Sequence, residues 1–281
     1  MTERTIERVI AAADTSDGAG VHIRRSLGQR QDIRMDPFLM LDEFGSENPD
    51  DYVAGFPSHP HRGFETVTYM IEGHMLHSDH LGNQGHLKNG GVQWMTAGRG
   101  VIHSEMPEQE AGTMRGFQLW LNLPAAEKMR KPGYWDFQPE SLPTITAGEG
   151  RVILIAGHLE IDGEAYQGAV TDRSTQPVIA DLQLAPEQPL SLKLPSDHNA
   201  LLYLYEGEAR VGDETVTAAA ANLLSPGETL KIVSGGKGAR VFLVAGKPIG
   251  EPVVQYGPFV MNSREEIEQA LQDYRNGTLA L

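Results

Sequence analysis

The stretch Thr68-Tyr-Met-Ile-Glu-Gly73 returns later in the chain as Leu202-Tyr-Leu-Tyr-Glu-Gly207, an apolar run ending in Glu-Gly in both places. A second pair follows in the same order, with Trp94-Met-Thr-Ala-Gly98 answered by Leu223-Leu-Ser-Pro-Gly227. The offsets, 68 to 202 and 94 to 223, are nearly equal, which is the mark of a duplicated unit. Working outward, 31 glycines and 17 prolines cut the 281 residues into short apolar runs rather than long amphipathic stretches. Candidate strands with β-branched or alternating character are 20–24, 64–71, 91–95, 116–123, 152–156, 190–193, 200–205, 214–217, 222–224 and 239–245. Many short strands at regular spacing predict a sandwich or barrel. The expected fold is therefore all-β, with a barrel over 1–132, a Pro- and Gly-rich linker at about 133–150, and a second barrel over 151–281. One helix is expected at the end of that second barrel. Ser263-Arg-Glu-Glu266 reads as a capping box, Ile267, Ala270, Leu271 and Tyr274 fall at helical spacing, and Gly277 reads as the stop. A short helix is expected at 125–129.

Composition narrows the function. A formal net charge of −15 with no basic run argues against direct contact with nucleic-acid phosphates or anionic lipid. No apolar stretch approaches the ~20 residues of a membrane span, and the first residues lack the pattern of a signal peptide. The absence of cysteine removes disulfides, Fe–S clusters and Cys-zinc sites, so any metal must be held by imidazole and carboxylate. These features fit the cytoplasm.

The chemistry concentrates in two short segments. In Ser58-His-Pro-His-Arg-Gly-Phe-Glu65, His59 and His61 are two apart, so an extended backbone projects both imidazoles to one side. In Gly98-Arg-Gly-Val-Ile-His-Ser-Glu105, His103 and Glu105 repeat that spacing after a glycine turn. Three neutral imidazoles and a carboxylate would leave open positions on a six-coordinate ion, as a catalytic rather than a structural site requires. Spacing leaves Glu65 as a rival to Glu105, since it shares the parity of His59 and His61. If not a ligand, Glu65 should support the site from behind or pair with Arg62. The segment 73–86 holds His74, His77, His80 and His86, but reads as a flexible polar turn without fixed geometry. His22, His158 and His198 read as isolated surface or hydrogen-bonded residues. Phe56, Phe64, Met70, Trp94, Met95, Phe117 and Trp120 are expected to be mostly core, with a few lining an apolar mouth for a flat aromatic ligand. In the second repeat the corresponding positions fall near Lys193, Pro195, Ile232 and Ser234, so that barrel is expected to bind no metal.

Over nearly its whole length the sequence resembles the pirin family. The resemblance rests on four runs: His59-Pro-His-Arg-Gly-Phe-Glu-Thr-Val-Thr-Tyr69, Gln93-Trp-Met-Thr-Ala-Gly-Arg-Gly-Val-Ile-His-Ser-Glu-Met-Pro107, Gly116-Phe-Gln-Leu-Trp-Leu-Asn-Leu-Pro124 and Gly257-Pro-Phe-Val-Met-Asn-Ser-Arg-Glu-Glu-Ile267. The general cupin pattern is followed less strictly, since seven residues separate Glu65 from Gly73 and the proline of the second motif is replaced near Gly98. The resemblance implies two tandem cupin barrels, jelly-roll in type, with metal in the N-terminal one. It implies His59, His61, His103 and Glu105 as the ligands, choosing Glu105 over Glu65. The metal would be one divalent transition ion, Fe(II) first, with Ni, Mn, Co, Cu or Zn as alternatives. The implied activity is quercetin 2,3-dioxygenase chemistry, in which a flavonol and O2 react and Glu105 takes the substrate's hydroxyl proton. The alternative is a metal- or redox-sensing protein that binds a regulatory protein partner.

Overall fold

A computed structural model describes residues 2–281 of the protein, and strands dominate it. Chain contacts sort the residues into two compact units. One gathers 13–34, 38–139 and 249–281, and the other gathers the chain up to Ala12 with 35–37 and 140–248.

The first unit contains a seven-stranded and a four-stranded antiparallel sheet. The larger runs Gly133–Phe137, Val92–Thr96, Phe64–Glu72, Met114–Asn122, Phe38–Ser46, Val21–Leu27 and Ala13–Asp17 in spatial order. The smaller runs Phe56–His61, Val101–Pro107, Met75–Asp79 and Gln84–Leu87. Val21, Ile23, Phe44, Met70, Met75, Leu87 and Met114 form one buried cluster. The second unit is an eleven-stranded sheet in which Asn199–Val211 and Thr229–Gly246 pair along most of their length, with two register shifts. Aliphatic side chains such as Leu154, Leu182, Leu192, Leu202, Leu230, Ile232 and Leu243 fill its core. Lys193, Pro195, Ile232 and Ser234, the positions that parallel the candidate ligands, thus belong to a unit with an apolar interior.

All ten candidate strands coincide with observed ones, within shifted ends. The strands not anticipated have physical reasons. Phe38–Leu41 is buried at every position, so it shows no alternation. Phe56–His61 carries two prolines, which argue against a strand, yet it lies at the edge of its sheet, where a missing backbone donor costs no ladder bond. The segment 73–86 is not a loose turn: it forms the hairpin of Met75–Asp79 with Gln84–Leu87. The expected linker is also mostly strand. Gly133–Phe137 pairs with Val92–Thr96 and Thr144–Ala147 with Gly150–Ala156, because Pro139, Pro143 and Gly148 fall between strands rather than inside them.

Both chain ends depart from the expected boundaries of 1–132 and 151–281. The first strand, Ile6–Ala11, pairs with Ala220–Leu224, and the buried Arg4 guanidinium donates to the carbonyls of Pro195, His198 and Ser225 at 2.8–3.1 Å. The helix Arg264–Arg275 has the predicted capping box between Ser263 and Glu266, but its unit is the one containing residues 38–139. Its Ile267 and Ala270 are buried with Phe259, Met261 and Leu279. Two buried cations fasten this segment. Arg62 ion-pairs Asp273 at 2.7 Å and donates to the carbonyl of Arg99. Lys128 Nζ donates to Asn122 Oδ1 at 2.6 Å and to the carbonyls of Gly63 and Val260 at 2.8 and 3.0 Å. The expected short helix is a single 3-10 turn, Ala125–Glu127, just before that lysine. Among the described residues no helix is long and apolar enough to cross a membrane.

Burial pushes Lys128 down to about 8. The unfolded chain then holds this proton to higher pH than the folded one, so stability rises as pH climbs from about 8 toward 10.5. The difference in unfolding free energy between wild type and Lys128→Met, measured in urea across that window, should change by on the order of 1 kcal/mol per pH unit. Parallel pH curves for the two proteins would refute this.

Candidate metal centre

Each imidazole of the constellation is placed by strand register. In the antiparallel pairing of Phe56–His61 with Val101–Pro107, His103 stands opposite His59 and Val101 opposite His61, with a bulge between His103 and Glu105. The ring centroids of His59 and His103 are 4.3 Å apart, those of His59 and His61 4.7 Å, and those of His61 and His103 5.0 Å. Candidate ligand atoms of these three histidines lie within 4.8 Å of one another. A second, overlapping group with the same spread joins His103 and Glu105 to His77.

His77 was missed by sequence reasoning because its segment looked like a polar turn. It pairs across from Glu105 in the hairpin strand Met75–Asp79, and its Nδ1 lies 3.4 Å from His103 Nδ1. Its ring stacks on Tyr134 at 4.3 Å, and its Nε2 is 3.6 Å from Asp79 Oδ2. The detectable signal was parity: His77 and Asp79 are two apart, as are the other two candidate pairs.

The donor set fits a metal ion on physical grounds. Burial, with the neighbouring imidazoles, pushes His61 and His103 well below the usual histidine range, so both are neutral and offer lone pairs. His61 Nδ1, His77 Nε2 and His103 Nε2 are buried without a hydrogen-bond partner, an expensive condition for ring nitrogens unless something accepts or coordinates them. His59 Nδ1 lies 2.7 Å from the carbonyl of Pro57, which assigns the proton there and leaves Nε2 as the lone-pair atom. Glu105, buried like His61 and His103, is held from the opposite sheet. Gln118 Nε2 donates to Glu105 Oε2 at 3.2 Å, and the Thr68 hydroxyl lies 3.3 Å from Oε1. Glu65, the rival, instead accepts from Thr96 Oγ1 at 2.5 Å, and Arg62 turns to Asp273.

A cavity of about 710 Å³ reaches this cluster, lined by His59, His61, Glu105 and Gln118. Phe44, Phe56, Trp120, Leu39 and Met40 form its apolar wall, and Arg25, Asp42 and Gln29 its polar one. Of the aromatic and methionine residues singled out earlier, Phe56 and Trp120 line it, while Phe64, Met70, Trp94, Met95 and Phe117 are core. Its volume and mixed lining suit a small organic ligand.

Two family descriptions match the chain, "Pirin" over residues 20–121 and "Pirin C-terminal cupin domain" over 179–280. A Pseudomonas aeruginosa protein, provisionally named a quercetin 2,3-dioxygenase, is 58% identical over 95% of this chain and 94% of its own. Human pirin is 37% identical over 95% of this chain and 91% of its own. The crystal structure of a quercetin 2,3-dioxygenase from Acinetobacter baumannii superimposes with a TM-score of 0.90 at 31% identity, covering 99% of both chains.

Arg25 grips the buried Asp42 through two contacts of 2.8 and 2.7 Å, while burial pushes the Asp42 carboxyl up to about 6. Arg25→Met should therefore leave an unpaired buried acid and cost about 3 kcal/mol near neutral pH. That deficit should shrink as pH falls toward 4, where the carboxyl is neutral and needs no partner. Urea titrations at several pH values would read it, and a deficit independent of pH would contradict the account.

Proposed function

Because this chain belongs to the pirin family, we propose that it is a cytoplasmic metal-dependent dioxygenase that opens the central ring of a flavonol such as quercetin, with O2 as co-substrate and loss of carbon monoxide. His59, His61, His103 and Glu105 are the proposed ligands of one divalent transition metal, Fe(II) first. The observation that carries this reading is the meeting of three imidazoles and a carboxylate with an aromatic-walled cavity. A bound ion would supply Lewis acidity and coordination positions for oxygen donors. The remaining work falls to the chain's own residues. Trp120 and Phe56 offer flat faces to a fused aromatic ring. Glu105 is the proposed general base for the flavonol hydroxyl, steadied by Gln118 and Thr68 so that its free lone pair keeps one direction. The apolar wall excludes bulk water from the deprotonated substrate.

Protein loaded anaerobically with Fe(II) should consume quercetin and release carbon monoxide in air. Glu105→Gln should keep metal affinity within about tenfold yet lose at least 100-fold in kcat, the contribution expected of a positioned base. His59→Ala should lose both. Equal turnover by wild type and Glu105→Gln would remove Glu105 from the role of base. Full iron occupancy with no turnover would move the reading to a metal-sensing protein with a regulatory partner, the role considered beside it from the sequence.

A further inference from the structure

On the same four-stranded sheet, away from the proposed ligands, His74, His86 and Glu108 converge. We propose that these three form a second, independent binding site for a divalent cation of the Zn(II), Ni(II) or Cu(II) class. Three atoms make the triangle. His74 Nε2 is 2.8 Å and His86 Nδ1 2.6 Å from the same Glu108 Oε2, and the two nitrogens are 3.1 Å apart. Bonds of ~2.1 Å put donors on neighbouring octahedral positions about 3.0 Å apart, so the triangle has the size of one face of a coordination shell. Two imidazoles and one carboxylate choose ions of the zinc, nickel and copper kind over calcium or magnesium, which prefer all-oxygen shells.

The backbone under each donor is fixed, which separates this trio from a chance meeting of mobile side chains. Glu108 N–H donates to the His74 carbonyl at 2.9 Å, and the His74 N–H donates to Gln109 Oε1 at 2.8 Å. His86 lies within Gln84–Leu87, in register with Leu76 of the neighbouring strand. All three side chains retain solvent contact, between 28% and 54% exposed, so water can fill the remaining positions of an ion. Glu108 follows Val101–Pro107, His74 precedes Met75–Asp79 and His86 sits in the fourth strand, so the ion would clip three consecutive strands of the sheet that also carries His59, His103 and Glu105. A ligand that binds folded protein alone raises its melting temperature by mass action.

Zn(II) uptake by metal-free protein, followed by equilibrium dialysis, tests the site without reference to enzyme activity. Wild type should take up two equivalents, His103→Ala one, the His74→Ala/His86→Ala pair one, and the triple variant none. In the His103→Ala background Zn(II) should raise the melting temperature, and adding the His74 and His86 changes should abolish that rise. The proposal is overturned if the His74→Ala/His86→Ala pair still takes up two equivalents, or if folded His103→Ala, verified by circular dichroism, takes up none. Failure of the proposed catalytic site would show differently, as His103→Ala retaining both equivalents.

Discussion

The pairing of Phe56–His61 with Val101–Pro107 is the constraint on which the candidate centre depends. An antiparallel ladder puts directly opposed side chains about 5 Å apart, close enough for two imidazoles to share one ion. Register alone sets His59 against His103. A slip of one residue would turn one of the two rings to the other face of the sheet and part the pair. The extra residue of the bulge lies in Phe56–His59, where three steps face the two from His103 to Glu105, so His103 and Glu105 keep one face of their strand and the Glu105 carboxylate meets Gln118 and Thr68 from the larger sheet. Strand pairing thus fixes the imidazoles, and hydrogen bonding across the barrel interior fixes the acid.

Such a cluster is costly to fold. Three buried ring nitrogens without partners and a buried carboxylate oppose folding, and the surrounding structure must outweigh them. Much of that support lies close in sequence to His59 and His61. Gly63 adopts φ 91°, and a Cβ there would come within 2.0 Å of the Val260 carbonyl oxygen, so only glycine lets the strand Phe259–Met261 lie against it. Lys128 donates to both carbonyls of this contact, with Asn122 taking its third N–H, and Arg62 beside Gly63 pairs with Asp273. The turn that directly follows the two candidate ligands is therefore wedged between buried cations and backbone, which limits the freedom of the strand end that displays their rings.

Much of this was legible beforehand, for identifiable reasons. Alternating strands such as Pro189–Lys193 announce themselves because one face is core, and the paired spacing of His59, His61, His103 and Glu105 survives in a linear reading because an i, i+2 step means one face on a regular strand. The Ser263–Glu266 cap was equally plain, since it is a local interaction. What escaped depends on contacts distant in sequence. His77 and Tyr134 are neighbours only after the hairpin and Gly133–Phe137 have found their sheets. Polar residues in 73–86 looked like a loop because the edge and hairpin strands of the smaller sheet bury just part of their surface. Spacing also could not show that Glu65 bonds Thr96 while Glu105 meets Gln118 and Thr68, since those partners are distant in sequence.

The exchanged chain ends carry a consequence for how the protein is made. Ribosomes deliver the chain from the N-terminus, and a domain ordinarily folds once its own residues have emerged. Here the unit with the candidate metal centre includes residues 249–281, among them Val260 against Gly63 and Asp273 against Arg62. His59, His61, His103 and Glu105 leave the ribosome well before residues 249–281, which brace the backbone beside them. The centre is therefore completed only once residues 249–281 have emerged, so a chain cut before them that retains every proposed ligand lacks the brace at Arg62 and Gly63, beside two of those ligands.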